Sequence, residues 1–213
     1  MNTLFDMSKV QQLLCIGAHC DDIEIGAGGL IMRLINENPN IHVCFVVLTG
    51  GGSHREHEAR QSAALLTEGA AQLSVEVLDF TDAFLSTQYA EVKQKFEALK
   101  QGLSPDLILS HYQQDKHQDH RLVSELTYNT WRDHNILEYE ILKWDGDIGR
   151  PNIYVSLSEE LANKKTDIIY GSFASQHPKT WFRRETFDAL MRVRGVESNC
   201  QFAEAFYANK LKW

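Results

Sequence analysis

Residues 12–24, QLLCIGAHCDDIE, contain the turning point on which the fold prediction depends. The apolar run Gln12–Gly17 has the length of a β-strand and stops at a glycine. A histidine and two adjacent aspartates follow it, ahead of Gly26–Asn36 (GAGGLIMRLIN), whose apolar residues recur at helical spacing. The stretch therefore predicts a strand, a polar turn and a helix in immediate succession.

The same alternation continues along the chain. Further strands are predicted at Ile41–Leu48, Val75–Asp79 and Asp106–Ser110, with an extended segment at Ile136–Lys143. Further helices are predicted at Arg55–Leu66, Glu91–Gly102, His120–Trp131 and after a Ser158 N-cap. Strands alternating with helices of about a dozen residues predict an α/β fold, with a mostly parallel sheet covered by helices on both faces. Because no repeat or linker interrupts the pattern, residues 1–213 are expected to form one domain.

Composition excludes several classes of function. The chain has 43% hydrophobic and 23% charged residues, which is the balance of a soluble globular protein. Its net charge of -8 argues against nucleic acid as a partner. The longest apolar runs, such as Ile41–Leu48, are far shorter than the ~20 residues of a membrane helix. The N-terminal MNTLFDMSKV lacks the pattern of a secretory signal, and the four cysteines form no CxxC pair, so we expect a cytoplasmic protein with reduced thiols.

Polar residues are concentrated where predicted strands end. In open α/β sheets, ligands bind at the carboxyl ends of the strands. The loops after Gly17, Leu48, Ser110 and Lys143 are therefore expected to meet at one edge of the sheet.

The first polar cluster is Gly17-Ala18-His19-Cys20-Asp21-Asp22-Ile23-Glu24. Adjacent carboxylates repel, so keeping both ionised calls for a cation or a helix N-terminus nearby. Histidine and aspartate are zinc ligands at ~2.0–2.2 Å. An alternative is that the two aspartates only cap the next helix, with the histidine hydrogen-bonded in the turn. A dinucleotide site at Gly26-Ala27-Gly28-Gly29 is weakly supported, since the GxGxxG order is absent.

The second cluster runs from His111 to Arg121 and holds three histidines and two aspartates. An alternative is a solvated loop ahead of a helix capped by Asp119. A catalytic zinc site uses three protein ligands and leaves one position for water. Taken from both clusters, His19, Asp22 and His120 supply such a set. This leaves three polar residues as acid–base groups, namely Asp21, His117 and Asp119.

His19-Cys20-Asp21-Asp22-Ile23-Glu24 and His117-Gln118-Asp119-His120-Arg121 resemble the two signatures of the PIG-L/LmbE-like zinc-dependent de-N-acetylases, His-Pro-Asp-Asp-x-Glu and His-x-Asp-His. Arg55-Glu56-His57-Glu58 is similar to the family's Arg-x-x-Glu segment. Arg194-Gly195-Val196-Glu197 and Ala203-Glu204-Ala205-Phe206 are similar to its closing region. The resemblance implies a Rossmann-like fold and hydrolysis of an acetamide on a sugar or related amine, with Zn²⁺ as the usual metal.

The resemblance also implies roles for individual residues. His19, Asp22 and His120 would bind the metal. Asp21 would be the general base, and His117 would be a general acid or an oxyanion stabiliser, oriented by Asp119. Cys20 stands where the family commonly has proline. Because proline fixes φ and cysteine does not, this departure predicts a looser loop. Cys20 is a poor candidate for a metal ligand, because adjacent side chains tend to point apart.

Other residues carry weaker signals. Arg55 is a candidate for binding a substrate hydroxyl, phosphate or carboxylate, or is a surface arginine beside a flexible turn. Trp144 and Asp145 suit the gripping of a sugar ring, or belong to a turn with a partly buried tryptophan. Glu24 is a candidate for orienting a metal ligand, or simply favours the helix N-terminus. Asp115 either contacts the site or caps a turn.

Rival functions share parts of this pattern. A mononuclear Fe(II) oxygenase also uses two histidines and a carboxylate, although such sites usually lie in β-barrels. A non-catalytic metal- or nucleotide-binding module would not need Asp21 or His117. The expected partner is an N-acetylated small molecule, with a sugar such as an N-acetylglucosamine conjugate favoured over another N-acylated compound. Another divalent metal in place of Zn²⁺ and a homo-oligomeric state are left open.

Overall fold

Seven strands form one sheet in the computed structural model, which describes residues 7–212. The strands are β1 (Gln12–Gly17), β2 (His42–Thr49), β3 (Gln72–Phe80), β4 (Leu107–His111), β5 (Asn135–Tyr139), β6 (Ile153–Leu157) and β7 (Phe202–Tyr207). The helices are α1 (Asp22–Glu37), α2 (His54–Leu66), α3 (Tyr89–Gly102), α4 (Gln118–Thr130), α5 (Glu159–Ser172) and α6 (Arg184–Glu197). Residues 1–6, on which most of the expectation about a secretory signal rests, lie outside the described residues.

The sheet is mostly parallel, in the order β3-β2-β1-β4-β5-β7-β6. The first five strands run parallel, and Leu13 of β1 pairs with both Val43 of β2 and Leu107 of β4. Their order is that of a Rossmann-like sheet. β7 runs antiparallel to β5 and to β6 at the far edge. The predicted fold class is confirmed, and β6 and β7 are additions to it.

Helices cover both faces, because successive residues of the central strands point to opposite sides. Leu13 and Cys15 belong to the core beneath α1, α2, α5 and α6. Leu14 and Ile16 belong to the core beneath α3 and α4. Strands that are buried on both faces have nearly continuous apolar sequences. This explains why β1 and β2 could be located from sequence.

The glycine-rich start of α1 serves close packing. A Cβ on Gly26 would lie 2.2 Å from Tyr139 Cδ2, and a Cβ on Gly29 would lie 2.5 Å from Leu157 Cδ1. Only glycine lets the helix approach the sheet at these points. The Tyr139 hydroxyl then donates a hydrogen bond to the Ile16 carbonyl at 2.6 Å. These glycines pack a helix against strands, which explains their spacing without a nucleotide.

Element boundaries near the candidate site differ from the prediction, and α4 for example begins at Gln118 instead of His120. α1 begins at Asp22, four residues before the predicted start at Gly26, so Asp22 is itself a helical residue. β5 ends at Tyr139, which leaves Lys143 in the loop that follows. All four cysteines are free thiols. Among residues 7–212, no helix is both long enough and apolar enough to cross a membrane.

Candidate active site

A cleft of about 330 Å³ opens at the carboxyl edge of the parallel strands. The loops after β1, β2, β4 and β5 reach it, as expected because ligands bind at the carboxyl ends of the strands in open α/β sheets. Eight of the ten predicted site residues line the cleft: His19, Asp21, Asp22, Arg55, His117, His120, Trp144 and Asp145. Asp119 is buried behind it, and Glu24 lies farther along α1.

The loop after β1 is held by its neighbours on both sides. Thr49, at the end of β2, donates its hydroxyl to the Ala18 carbonyl at 2.8 Å and its N–H at 3.1 Å. The Asp22 carboxylate accepts the His19 N–H at 2.7 Å. The Asp21 side chain makes no capping hydrogen bond to the helix. Helix capping therefore accounts for neither carboxylate completely, and Asp21 is left for another role.

The start of α4 places two histidines in the cleft. His117 is the N-cap residue, and its Nδ1 accepts the N–H of Asp119 at 3.3 Å, so the cap is His117 and not Asp119. His120 follows in the first helical turn. Its Nδ1 lies 3.0 Å from Asp115 Oδ2, so Nδ1 donates and the Nε2 lone pair faces the cleft.

Four donor atoms of three residues converge between the two clusters. His19 Nδ1 lies 3.2 Å from His120 Nε2 and 3.3 Å from Asp22 Oδ2, and His120 Nε2 lies 3.5 Å from Asp22 Oδ1. Ligands at ~2.0–2.1 Å from a tetrahedral zinc ion are separated from one another by about 3.3–3.4 Å. The spacing of these donor atoms therefore fits a single divalent ion.

The outer nitrogens of both histidines are occupied by carboxylates. His19 Nε2 lies 3.0 Å from Asp82 Oδ1 and 3.4 Å from Asp119 Oδ2. With its outer nitrogen donating in this way, the inner nitrogen of a neutral His19 carries a lone pair, as His120 Nε2 does. Two facing lone pairs repel unless a proton or a metal ion lies between them. Outer carboxylates of this kind fix the orientation of histidine ligands at metal sites.

Charge in the cluster is strongly perturbed. Burial works against a charged His19, yet the carboxylates of Asp22, Asp119 and Asp82 raise its pKa well above the usual range. Burial also opposes ionisation of Asp22, but His120, His111 and His19 hold its pKa well below the usual range. Burial, with His111, lowers the pKa of His120 to about 4. The cluster thus favours positive charge at its centre while keeping its second histidine neutral.

His111 also lies against this cluster but differs from the three residues above. Its Nε2 is 3.2 Å from Asp22 Oδ2, and its ring stacks on His120 with centroids 4.0 Å apart. The same Nε2 accepts the Ala18 N–H at 3.0 Å. Its lone pair is therefore already used, and His111 supports the turn after β1.

Asp21 and Arg55 form an ion pair at the side of the cleft. Asp21 Oδ1 lies 3.1 Å from Arg55 Nη2. Burial raises the pKa of Asp21, and Arg55 opposes that rise. Arg55 Nη1 donates to Glu58 Oε2 at 2.9 Å and to the Ser175 hydroxyl at 2.8 Å. The Arg55-x-x-Glu58 segment thus fixes a guanidinium beside the candidate base.

His117 and Asp119 are arranged differently from the implied pair. The Asp119 carboxylate accepts N–H groups from Ala83 at 2.7 Å and Leu85 at 3.3 Å, and its other contact is with His19. Asp119 reaches His117 through its backbone N–H. Burial and then His19 lower the pKa of His117, so it is neutral at pH 7 with its proton on Nε2.

Cys20 occupies the position of the family's proline. Its Sγ donates to the Thr49 carbonyl at 3.4 Å, and a Cβ on Gly50 would lie 2.6 Å from that sulfur. Gly50 has φ +97°, a conformation that favours glycine. Burial raises the pKa of Cys20 to about 12, so the group is a thiol and not a thiolate ligand. The hydrogen bond to Thr49 ties the loop where proline would have stiffened it.

The weaker candidates occupy different places. Trp144 is 70% exposed on the rim, and its ring centroid is 6.1 Å from that of Trp181. Asp145 is its neighbour on the rim and lies 3.9 Å from Lys143. The Glu24 carboxyl accepts a hydrogen bond from the Ser62 hydroxyl of α2, a contact between helices and not with a candidate ligand. The orienting role of Glu24 stays a prediction.

Two residues of the site were missed by sequence reasoning, and a third was left undecided. Asp82 follows β3 at the carboxyl edge of the sheet, where ligands bind in such folds, so its position could have been predicted. Lys143 has its ammonium between two carboxylates, and no local pattern indicates this. Asp115, for which both interpretations were open, contacts His120 directly.

The sequence profile described as PIG-L, GlcNAc-PI de-N-acetylase, matches residues 14–131, more than half of the chain. The chain therefore belongs to this deacetylase family, and the resemblance seen in its motifs is confirmed. A curated relative, the uncharacterized deacetylase YaiS of Escherichia coli K12, is 29% identical over 170 residues, covering 74% of this chain and 88% of YaiS.

Two solved structures share the fold. One is the N,N′-diacetylchitobiose deacetylase of Pyrococcus horikoshii, 18% identical, with a TM-score of 0.68 over 94% of this chain and 84% of that one. The other is GalB, the 4-carboxy-2-hydroxymuconate hydratase of Pseudomonas putida KT2440, also 18% identical, with a TM-score of 0.71 over 95% and 98%. At this identity they show a common architecture, and their different reactions show that the fold alone does not fix the chemistry.

Proposed function

We propose that this protein is a zinc-dependent hydrolase that removes the acetyl group from the nitrogen of an N-acetylated sugar or sugar conjugate. The observation that carries the proposal is the convergence of the donor atoms of His19, Asp22 and His120 at separations of 3.2–3.5 Å. Membership of a deacetylase family supports the reaction class. A different divalent metal would use the same ligands.

His19, Asp22 and His120 hold the metal in this proposal, through two neutral nitrogens and one carboxylate. When bound there, a divalent ion would supply Lewis-acid chemistry, which polarises a carbonyl and lowers the pKa of water from ~15.7 to about 7. Asp115 and the carboxylates behind His19 keep the two imidazoles in the orientation that ligation requires.

Asp21 is the proposed general base. It follows His19 by two residues and precedes Asp22, so its carboxylate lines the same cleft as the ligands. Its ion pair with Arg55 keeps the carboxylate in place and favours its ionised form. Asp21 takes a proton from the attacking water and returns it to the departing nitrogen, which leaves as a neutral amine.

His117 is the proposed oxyanion stabiliser. Because its Nδ1 accepts the N–H of Asp119, a neutral His117 has its proton on Nε2. A neutral N–H donor suits stabilisation of negative charge on the acetyl oxygen. The tautomer therefore favours this role over that of a general acid, and Asp119 sets it through its backbone.

The rim suggests how a sugar would bind. Trp144 is exposed beside Trp181, and an aromatic face packs well against the apolar face of a pyranose ring. Asp145 on the same rim and Arg55 inside the cleft offer hydrogen-bonding groups for hydroxyls. The cleft volume of about 330 Å³ lies within the range of small-molecule sites. A cytoplasmic location and a homo-oligomeric state stay predictions.

A panel of N-acetylated compounds tests the proposal. It would contain N-acetylglucosamine, its β-linked disaccharide, its anionic conjugates and an N-acetylated amino acid as a non-sugar comparison. We expect acetate release from at least one sugar, abolished by a chelator and restored by added Zn²⁺. Chelator-resistant turnover would refute metal dependence. Failure to release acetate from any N-acetyl compound by a zinc-loaded, folded protein would refute the function itself.

A further inference from the structure

Lys143 is a buried cation just beneath the rim of the cleft. Its side chain is only 8% exposed, and its Nζ lies 2.9 Å from Asp115 Oδ1 and 2.7 Å from Asp147 Oδ2. A buried ammonium is costly unless it is paired and hydrogen-bonded. Here one ammonium is shared by two carboxylates from different loops, so it links those loops directly.

On its inner side, Lys143 reaches a proposed metal ligand through a single residue. Asp115 Oδ1 accepts both from Lys143 and from the His117 N–H, at 2.7 Å. Asp115 Oδ2 contacts His120 Nδ1 at 3.0 Å. Both oxygens of Asp115 are therefore engaged, and the position of Lys143 helps to determine that of the His120 ring.

On its outer side, Lys143 closes the rim segment, which we define as residues 143–147. Asp147 Oδ2 accepts from Lys143 and from the Lys116 N–H, at 2.8 Å. The two ends of the segment are thus joined to each other, and Trp144 and Asp145 project from between them. The residues proposed to hold the sugar are anchored by the same ammonium that holds Asp115.

We propose that Lys143 is a positioning residue that couples the substrate-contacting rim segment to the metal ligand His120 through Asp115. The substrate half of this inference rests on the proposed function. Without the ammonium, Asp115 and Asp147 lose the cation between them, so the rim segment loosens and Asp115 is free to turn away from His120. Loss of a carboxylate partner behind a histidine ligand typically lowers metal affinity by about 10–100-fold.

The test compares Lys143→Met with Lys179→Met. Lys179 is a matched control, since it also lines the cleft but is exposed and, within the described part of the chain, forms no ion pair. Zinc affinity would be measured by competition with a chromophoric chelator, and KM by acetate release. We expect Lys143→Met to lose about 10–100-fold in zinc affinity and to raise KM, whereas Lys179→Met keeps zinc affinity within roughly twofold.

An Asp147→Asn variant separates the two halves of the coupling, because it loosens the rim segment but keeps the contact between Lys143 and Asp115. We expect it to raise KM while zinc affinity stays near that of the unmodified protein. Zinc affinity that falls as far as in Lys143→Met would indicate general loosening and overturn the proposal. If Lys143→Met does not fold, Lys143→Gln carries the same comparison.

A folded Lys143→Met protein that binds zinc as tightly as the unmodified chain would also overturn the proposal. The zinc measurement needs no substrate. Failure of every sugar to release acetate would therefore refute the proposed function, and the metal half of the coupling would still be tested.

Discussion

The cleft can be compared with the packing layer beneath α1, which we define by the buried residues Glu204 and Lys165. Both regions contain charged side chains, but they differ in how those side chains are hydrogen-bonded. In the packing layer, Glu204 accepts the N–H groups of Gly29 at 2.7 Å and Leu30 at 2.6 Å, and it pairs with Lys165 at 2.6 Å. In the cleft, His19 Nδ1 and His120 Nε2 face each other and a carboxylate, so a proton or a metal ion must lie between the two nitrogens. A complete set of partners indicates a structural role, whereas nitrogen and oxygen atoms grouped in this way suit a divalent ion.

The motif residues in the segments that resemble the family's closing region have complete sets of hydrogen-bond partners, as in the packing layer. Arg194 donates from Nε and Nη2 to the two oxygens of Glu140, each at 2.7 Å, and also to Glu197. Glu204 and Arg194 both belong to segments that resemble the family's closing region. Their hydrogen bonds are used within the fold, since Glu204 joins β7 to α1 and Arg194 joins α6 to the residue that follows β5.

Replacing a proposed ligand should have the largest effect. His19→Ala removes one of three donors, so we expect zinc affinity to fall by more than about 100-fold, beyond the range for outer partners of ligands, and turnover to vanish. Metal content after gel filtration and acetate release would measure this. His54→Ala, at an exposed histidine that starts α2, is the control. Unchanged metal content in His19→Ala would contradict the distinction between the two regions.

Replacing the proposed base should separate metal binding from catalysis. Asp21→Asn keeps the shape of the side chain but cannot accept a proton from water. We expect zinc content to be retained while kcat falls by about 10²–10⁴-fold, the usual contribution of a positioned base. Asp79→Asn, at an exposed aspartate on β3, serves as control. If Asp21→Asn lost its metal, Asp21 would belong with the ligands.

A substitution in the packing layer should lower the stability of the fold and leave zinc affinity unchanged, which is the opposite of the result expected in the cleft. Lys165→Met leaves the buried Glu204 without its cation, and breaking such a pair typically costs about 3–5 kcal/mol of unfolding free energy. Urea denaturation would measure the loss, and the zinc affinity of the folded fraction should not change. Lys164→Met is a matched control, since its pair with Glu68 is on the surface and contributes about 0–1 kcal/mol. An equal loss of unfolding free energy in Lys165→Met and Lys164→Met would show that the buried pair contributes no more than the surface pair.

The smallest expected effect concerns Glu24, whose carboxyl should make the unfolding free energy depend on pH. Burial raises its pKa from 4.5 to about 8, so its contribution to stability is complete below pH 4.5 and is lost as the pH rises through 8. Glu24→Gln lacks this titration. In metal-free protein, we expect the unfolding free energy of the variant to gain about 2–5 kcal/mol relative to the unmodified chain between pH 4.5 and pH 9. Parallel pH curves for the two proteins would show that Glu24 stays ionised in the fold.

The first half of the fold could be predicted because its strands carry their own signal. β1, β2 and β4 are buried on both faces, which produces apolar runs bounded by turns. β7 (FAEAFY) was missed because Glu204 interrupts its apolar pattern. The partners that allow a carboxylate there, Lys165 and the N–H groups of α1, are 39 or more residues away in sequence. No local window contains them.

The candidate site was predictable to a similar extent. The motifs identified the residues whose nitrogen and oxygen atoms converge, because each cluster lies in one short stretch of sequence that runs from the end of a strand into the next helix. Relations between loops were not accessible in this way. The carboxylate of Asp119 contacts His19 and the loop after β3 instead of the His117 ring, and Lys143 reaches Asp115 across 28 residues of sequence. Such contacts depend on how the loops pack.

The contact between Glu204 and the middle of α1 joins segments that are 174 and 175 residues apart in sequence. A ribosome makes His19 and the start of α1 well before it makes β7, the strand that carries Glu204. The nascent chain therefore cannot complete the packing beneath α1 until residue 204 has been made. A chain that stalls before residue 204 would carry both clusters of histidine and aspartate residues and still lack this support for α1.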